Sequence, residues 1–188
     1  MILPIYTYGN PVLREISKDI TPKYPNLNEL IENMFETLHA ADGVGLAAPQ
    51  IGLSIRLFII DATVMSKDYP ELKDFKKAFI NPRIVSQEGE EWYYNEGCLS
   101  VPDIREDILR KSIVKLQYDD EQFHSHTEVY DGIKARIILH EYEHLDGILF
   151  IDHLSTLRKT MLKSKLNHIV KGEIKPKYKV VFAKSHSL

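Results

Sequence analysis

The chain has 188 residues, of which 44% are apolar and 27% charged, and a net charge of −3; this is the composition of one ordinary globular domain and excludes disordered, collagen-like, coiled-coil and mucin-like chains. The single cysteine rules out an intramolecular disulfide and fits a reducing compartment. No signal-peptide pattern opens the chain and no run approaches the roughly 18 apolar residues of a membrane span, so a cytoplasmic protein without membrane contact is expected.

In chain order, Gly9-Asn10-Pro11 reads as a turn and Pro22–Pro25 as a breaker cluster. Asn26 is placed to cap a first helix, with Glu29 completing a capping box. Leu27, Leu30, Ile31, Met34, Phe35 and Leu38 give that helix one apolar face, and it is expected to end near Ala41–Gly43. Gly43–Gly52 holds too much glycine, with Pro49 inside, for a helix or central strand. Ile55–Asp61 reads as a buried strand, 62–78 as an irregular surface excursion, and Phe79–Val85 and Glu90–Asn95 as two further strands. Ser112–Tyr118 and Gln122–Tyr130 form a hairpin pattern about Asp119-Asp120-Glu121. A helix is expected over Ile133–Leu145, and a last one from about Ser155 to Val170 with Leu157, Met161, Leu162, Leu166 and Ile169 as its stripe. Val180–Ala183 reads as a short strand. Helices and antiparallel strand pairs without βαβ alternation predict an α+β fold, with antiparallel or mixed sheets packed around the 133–145 helix and a C-terminal helix beyond. No linker or repeat divides residues 1–188. From Leu154 onward nine Lys/Arg face Glu173 alone, so a tail of +8 follows a body of −11.

His140-Glu141-Tyr142-Glu143-His144 carries the sharpest chemistry. Residues i and i+4 share one helix face, so the two imidazoles can grip one metal ion. Glu141 lies about 100° round from His140 and about 60° from His144, beside the ion rather than on it, where a base would act on water. A catalytic centre of this kind needs a third protein ligand. The histidine that follows a glycine in one class of metalloprotease is Phe150 here, and no acidic residue lies between His153 and Gly172, so both common protease ligands are disfavoured. Cys98, in Glu96-Gly97-Cys98-Leu99-Ser100, is the candidate: a thiolate with two imidazoles suits Fe(II), Zn, Co or Ni. The Leu99 N–H would then lie beside the metal, available to an oxyanion. A solvated helix, and a cysteine that is only a small buried hydrophobe, are the bland alternatives.

Gly43-Val44-Gly45-Leu46-Ala47-Ala48-Pro49-Gln50, Glu96-Gly97-Cys98-Leu99-Ser100 and His140-Glu141-Tyr142-Glu143-His144 resemble, in order, the three signature motifs of the peptide deformylase family, and Gly9–Arg14 resembles its N-terminal segment. The resemblance implies removal of the formyl group from the N-terminal formyl-methionine of nascent chains, with attack by metal-bound water. It implies one divalent ion, Fe(II) in the cell with Zn, Ni or Co able to substitute, on Cys98, His140 and His144. Glu141 would be the general acid/base, and Gln50 with the Leu99 N–H would stabilise the oxyanion. Arg110 would pair with Glu96 to brace the cysteine turn, and Arg105 would lie at the peptide's exit. Glu143 stands where the family usually has Asp, and a supporting role behind the ligands is expected of it.

Gly43 and Gly45 allow a peptide backbone to approach, with Gly45 pairing in a β-like manner. Ile137, one turn before His140, is the first candidate for the methionine pocket, with Val44 nearby. The other histidines read as surface or structural. The basic tail is either a solvated face or, as the resemblance suggests, a dock on ribosomal RNA; neither a membrane nor specific DNA is an expected partner. Another amidohydrolase or peptidase on the same Cys-His-His site, or a non-catalytic binding relative, are the competing readings.

Overall fold

The computed structural model describes residues 1–183. Lys184 and His186, counted above in the basic tail and among the other histidines, lie outside the described residues. The elements are β1 (Ile5–Tyr6), α1 (Leu27–Ala40), β2 (Gly45–Ala47), β3 (Leu57–Asp61), β4 (Lys76–Cys98), β5 (Val101–Asp119), β6 (Ser125–Asp131), α2 (Gly132–Leu145), α3 (Thr156–Val170) and β7 (Val180–Val181). β2-β3-β4-β5-β6 form one antiparallel sheet in that order, while β1 and β7, from opposite ends of the chain, pair in parallel. This is the expected α+β class.

β3 shows how the sheet divides the interior. All five of its residues are buried, and alternate side chains go to opposite faces. Phe58 and Ile60 join Phe79, Leu116, Ile133 and Ile138 under α2, whereas Leu57 and Ile59 join Ile31, Met34 and Leu38 of α1. α2 therefore lies buried against one face of the sheet, and Ile133, Arg136, Ile137, His140 and Glu141 of this helix line a cleft. α3 seals a third cluster, in which Leu162 and Ile169 meet Ile104, Ile108 and Phe150.

Several expectations are corrected. Asn26 sits at the start of α1 in a left-handed conformation (φ 53°) and its side chain makes no capping bond, so the box with Glu29 does not form. The two strands expected between Phe79 and Asn95 are one long, bent strand that starts at Lys76. Its irregularities accommodate Pro82 and Gly89, at two of the places where the register with β5 shifts. The 62–78 excursion holds two short 3-10 turns and buries Leu72 and Phe75. The glycine-rich run contributes β2, which fits because β2 is an edge strand. In α3, Leu157 and Met161 are exposed and only Leu162, Leu166 and Ile169 pack inward. No described helix is long and apolar enough to cross a membrane.

Candidate metal centre and its cleft

α2 carries His140 and His144 one turn apart, and the end of β4 brings Cys98 to them. One ligand atom from each lies within 4.8 Å of the others, and Cys98 Sγ is 3.4 Å from His144 Nε2. The cysteine reaches this point because β4 and β5 reverse through Leu99-Ser100, with Cys98 paired to Val101. Gly97 precedes it under the Arg105 side chain, where a Cβ would meet Nη1 at 2.7 Å. The chain thus brings a cysteine sulfur and two imidazoles to one point, a donor set that fits a divalent transition ion.

Burial and neighbouring groups drive the proton affinities of the two imidazoles in opposite directions. Burial, followed by the charges of His140 and Arg110, pushes the His144 pKa well below its usual value, so this imidazole is neutral. For His140, burial works against the cation, but hydrogen bonds to Cys98 and Glu96 outweigh it and raise the pKa. His144 Nδ1 is buried with no partner in the protein.

Behind His140 lies an ion-pair network. His140 Nδ1 donates to Glu96 Oε2 at 2.9 Å. Arg110 donates to both oxygens of Glu96 at 2.7 and 3.0 Å, and Arg136 Nη1 adds a contact at 2.9 Å. Burial opposes the Glu96 charge, yet His140 and Arg110 hold its carboxyl far below the usual range. Arg110 also donates to Glu143 at 2.7 Å, and Glu143 accepts from His153 at 2.9 Å. Glu143 and Arg110 thus stand behind the ligands. Arg136, which sequence reasoning missed, lies four residues before His140 on the same helical face; that spacing was the available signal.

Glu141 is 4% exposed, and its Oε2 has no partner in the protein. Burial pushes its pKa up to about 7. The carboxylate lies against the backbone of Gly45, where a Cβ would stand 2.4 Å from Oε1. Gln50 is fixed from both ends: Oε1 accepts the Ala47 N–H at 2.8 Å, and Nε2 reaches Cys98 Sγ at 3.4 Å and Ser100 Oγ at 3.2 Å. These groups open onto a cleft of about 610 Å³. Gly43, Val44, Leu99, Ile137 and Arg105 also line it, so every sequence-nominated substrate residue is at this cleft, whereas Arg110, Glu143 and His144 do not line it. Arg105 is tied to Asn95 through its backbone oxygen at 2.6 Å and side chain at 2.9 Å. Lys175–Tyr178 form a wall the sequence did not reveal.

Comparison with known proteins gives a consistent result. The family model described as polypeptide deformylase matches residues 2–160. Peptide deformylase of Flavobacterium johnsoniae is 53% identical, with 97% of each chain covered. That of Christiangramia forsetii is 50% identical, over 97% of this chain and 96% of the relative. Among solved structures, peptide deformylase from Thermotoga maritima superposes with a TM-score of 0.74 at 38% identity, covering 82% of this chain and 99% of its own. The Legionella pneumophila enzyme gives 0.79 at 35% identity, covering 92% and 98%.

Proposed function

The chain belongs to the polypeptide deformylase family, and from that premise we propose how its residues carry the reaction. The protein is a metal-dependent hydrolase that removes the N-formyl group from the N-terminal formyl-methionine of newly made chains and releases formate. Cys98, His140 and His144 are assigned as the ligands. The ion is Fe(II) in the cell, with Zn, Ni or Co able to substitute, because one thiolate and two imidazoles are soft enough for each. Such an ion supplies a Lewis acid that acidifies the attacking water toward neutrality.

Glu141 is the general acid/base. Its unpartnered oxygen and a pKa of about 7 support this role, since a group poised near the working pH both takes a proton and returns it. It accepts the proton of the attacking water and delivers it to the leaving amine nitrogen. The Gln50 amide and the Leu99 N–H meet the charge that develops on the formyl oxygen; the two bonds that fix Gln50 spare it reorganisation during the reaction. The methionine side chain goes against Val44 and Ile137. The outer edge of β2, unpaired because β2 ends the sheet, receives the peptide backbone at Gly43–Gly45. Arg105 stands at the peptide's exit. Glu96, Arg110 and Glu143 hold His140 and the cysteine turn from behind.

Residues 1–188 act as one catalytic domain in the cytoplasm, and the lysines of α3 dock it on ribosomal RNA. The observation that carries the assignment is the buried, unpartnered Glu141 carboxyl beside the Cys98-His140-His144 cluster. The test is formate release from formyl-Met-Ala by protein purified without oxygen and loaded with Fe(II) or Ni(II), beside E141A and an unformylated peptide. Release by the parent alone, with metal retained in the variant, is expected. No formate from correctly loaded parent, or cleavage of the unformylated peptide, overturns the reading.

A further inference from the structure

After α3 the chain does not leave the body but returns along a wall of the cleft. From Ile174 to Val180 it alternates strictly, with Ile174, Pro176, Tyr178 and Val180 partly covered and Lys175, Lys177 and Lys179 exposed. It ends as β7, clasped to β1: Ile5 N–H donates to Lys179 O at 2.9 Å and Thr7 N–H to Val181 O at 3.0 Å. Asn10 Nδ2 adds a bond to Val181 O at 2.9 Å. Gly9 (φ +98°) lets Ala183 and Val170 come so close that a Cβ there would stand 2.9 Å from each.

Both arms of this clasp hold the Leu99-Ser100 reversal. On the β1 side, Tyr8 N–H donates to Ser100 O at 2.7 Å. On the β7 side, the Tyr178 hydroxyl donates to Leu99 O at 2.8 Å. The reversal is gripped within the site by Gln50 Nε2 on Ser100 Oγ, and the Leu99 side chain is packed over Gly43, where an added Cβ would lie 2.9 Å from Leu99 Cδ1. The Leu99 carbonyl lies in the peptide plane after Leu99 and its N–H in the plane before, joined through the Leu99 Cα; with that carbonyl, the Ser100 carbonyl and hydroxyl and the Leu99 side chain all held, the Cα and the peptide leading into it have little freedom to turn.

We propose that Tyr178 is a positioning residue for deformylation: by anchoring the Leu99 carbonyl it fixes the aim of the Cys98 thiolate and the Leu99 N–H, so the C-terminal return, residues 174–181, is part of the active site. The proposal rests on the reading of Leu99 as an oxyanion donor given above. The Tyr178 hydroxyl is spent on the Leu99 carbonyl, so it acts on the reaction through the turn. A donor that tilts away from the developing oxyanion lowers turnover while leaving ground-state peptide binding nearly untouched.

The test uses full-length Y178F, which removes only the hydroxyl, loaded with Co(II). The expected result is one Co(II) per chain, a shifted thiolate-to-cobalt absorption band, and a kcat reduced about tenfold with KM changed less than about twofold. An unshifted band with parent kcat overturns the proposal, as does a loss confined to KM. Hydrogen exchange of the parent decides the matter even if Y178F fails to fold: residues 98–102 and 174–181 should open as one unit, and independent opening overturns the clasp. If the Co(II)-loaded parent itself releases no formate, the functional reading fails, while the absorption band and the exchange data still decide whether Tyr178 sets the turn.

Discussion

His140 is joined through Nδ1 to Glu96 at 2.9 Å, and the same carboxylate neutralises the buried guanidinium groups of Arg110 and Arg136. One side chain therefore orients a ligand and balances two buried cations. E96Q keeps an acceptor for His140 but loses the charge. Metal affinity is expected to fall about 10–100-fold, as for other partners that orient ligands, and stability by about 3 kcal/mol because buried Arg136 loses its counter-ion while Arg110 keeps only Glu143. Competitive metal titration and urea unfolding check this. Parent-like affinity in E96Q would show that His140 needs no charged partner.

Gly45 sets the edge strand β2 directly against the Glu141 carboxylate. A methyl group there would lie 2.4 Å from Glu141 Oε1, so G45A must displace either the carboxylate or β2. The backbone of Gly45 is not in the left-handed region, so folding itself tolerates alanine. The expected outcome is a loss of roughly 100-fold in kcat/KM, from misplacement of the base, with metal content unchanged. A fully active G45A would mean that Glu141 is not held where the reaction needs it.

Acid stability has a source among residues that do not line the cleft. Glu128 accepts from Lys77 at 2.9 Å and from Tyr118 at 2.8 Å, and also from Tyr130. Burial opposes its charge, but the Tyr130 and Lys77 hydrogen bonds bring its pKa down to about 2. Because the folded value lies below the unfolded one, this stabilisation is complete above about pH 4.5 and is lost as pH falls toward 2. E128Q should show a shallower decline of the melting temperature between pH 5 and pH 2.5 than the parent. Parallel curves would remove Glu128 from the account of acid unfolding.

What was legible in the sequence was local. The i, i+4 histidines and Glu141 follow from helix geometry, and Cys98 from the lack of any other third ligand. The first half of β5 was not read as a strand, although it alternates from Pro102 on: Pro102, Ile104, Glu106, Ile108 and Arg110 are buried while Asp103, Arg105, Asp107 and Leu109 are exposed. The pattern hid because two inward positions carry charges, and these are neutralised by residues distant in sequence, Glu106 by Arg158 and Arg110 by Glu96. Tyr178 was missed for the same reason. Its partner lies 79 residues away, and no local periodicity encodes a return of the chain.

The return also divides the basic tail, and so sharpens the ribosome proposal. Arg158 is committed to Glu106 through two bonds at 2.7 and 2.8 Å, Lys159 donates to Asp152 O at 2.7 Å, and Lys175 and Lys177 line the cleft. Lys163 and Lys165 remain on the exposed face of α3, with Lys171 just beyond its end. If α3 docks on RNA, these three are the phosphate contacts. K163E/K165E/K171E should then bind ribosomes more weakly and with a salt dependence shallower by up to about 0.9 log units per lost contact, while turnover of formyl-Met-Ala stays at the parent value. Reversing Lys175 and Lys177 should leave the salt dependence unchanged. Equal ribosome affinity for the parent and the triple variant would reduce the α3 lysines to a solvated face.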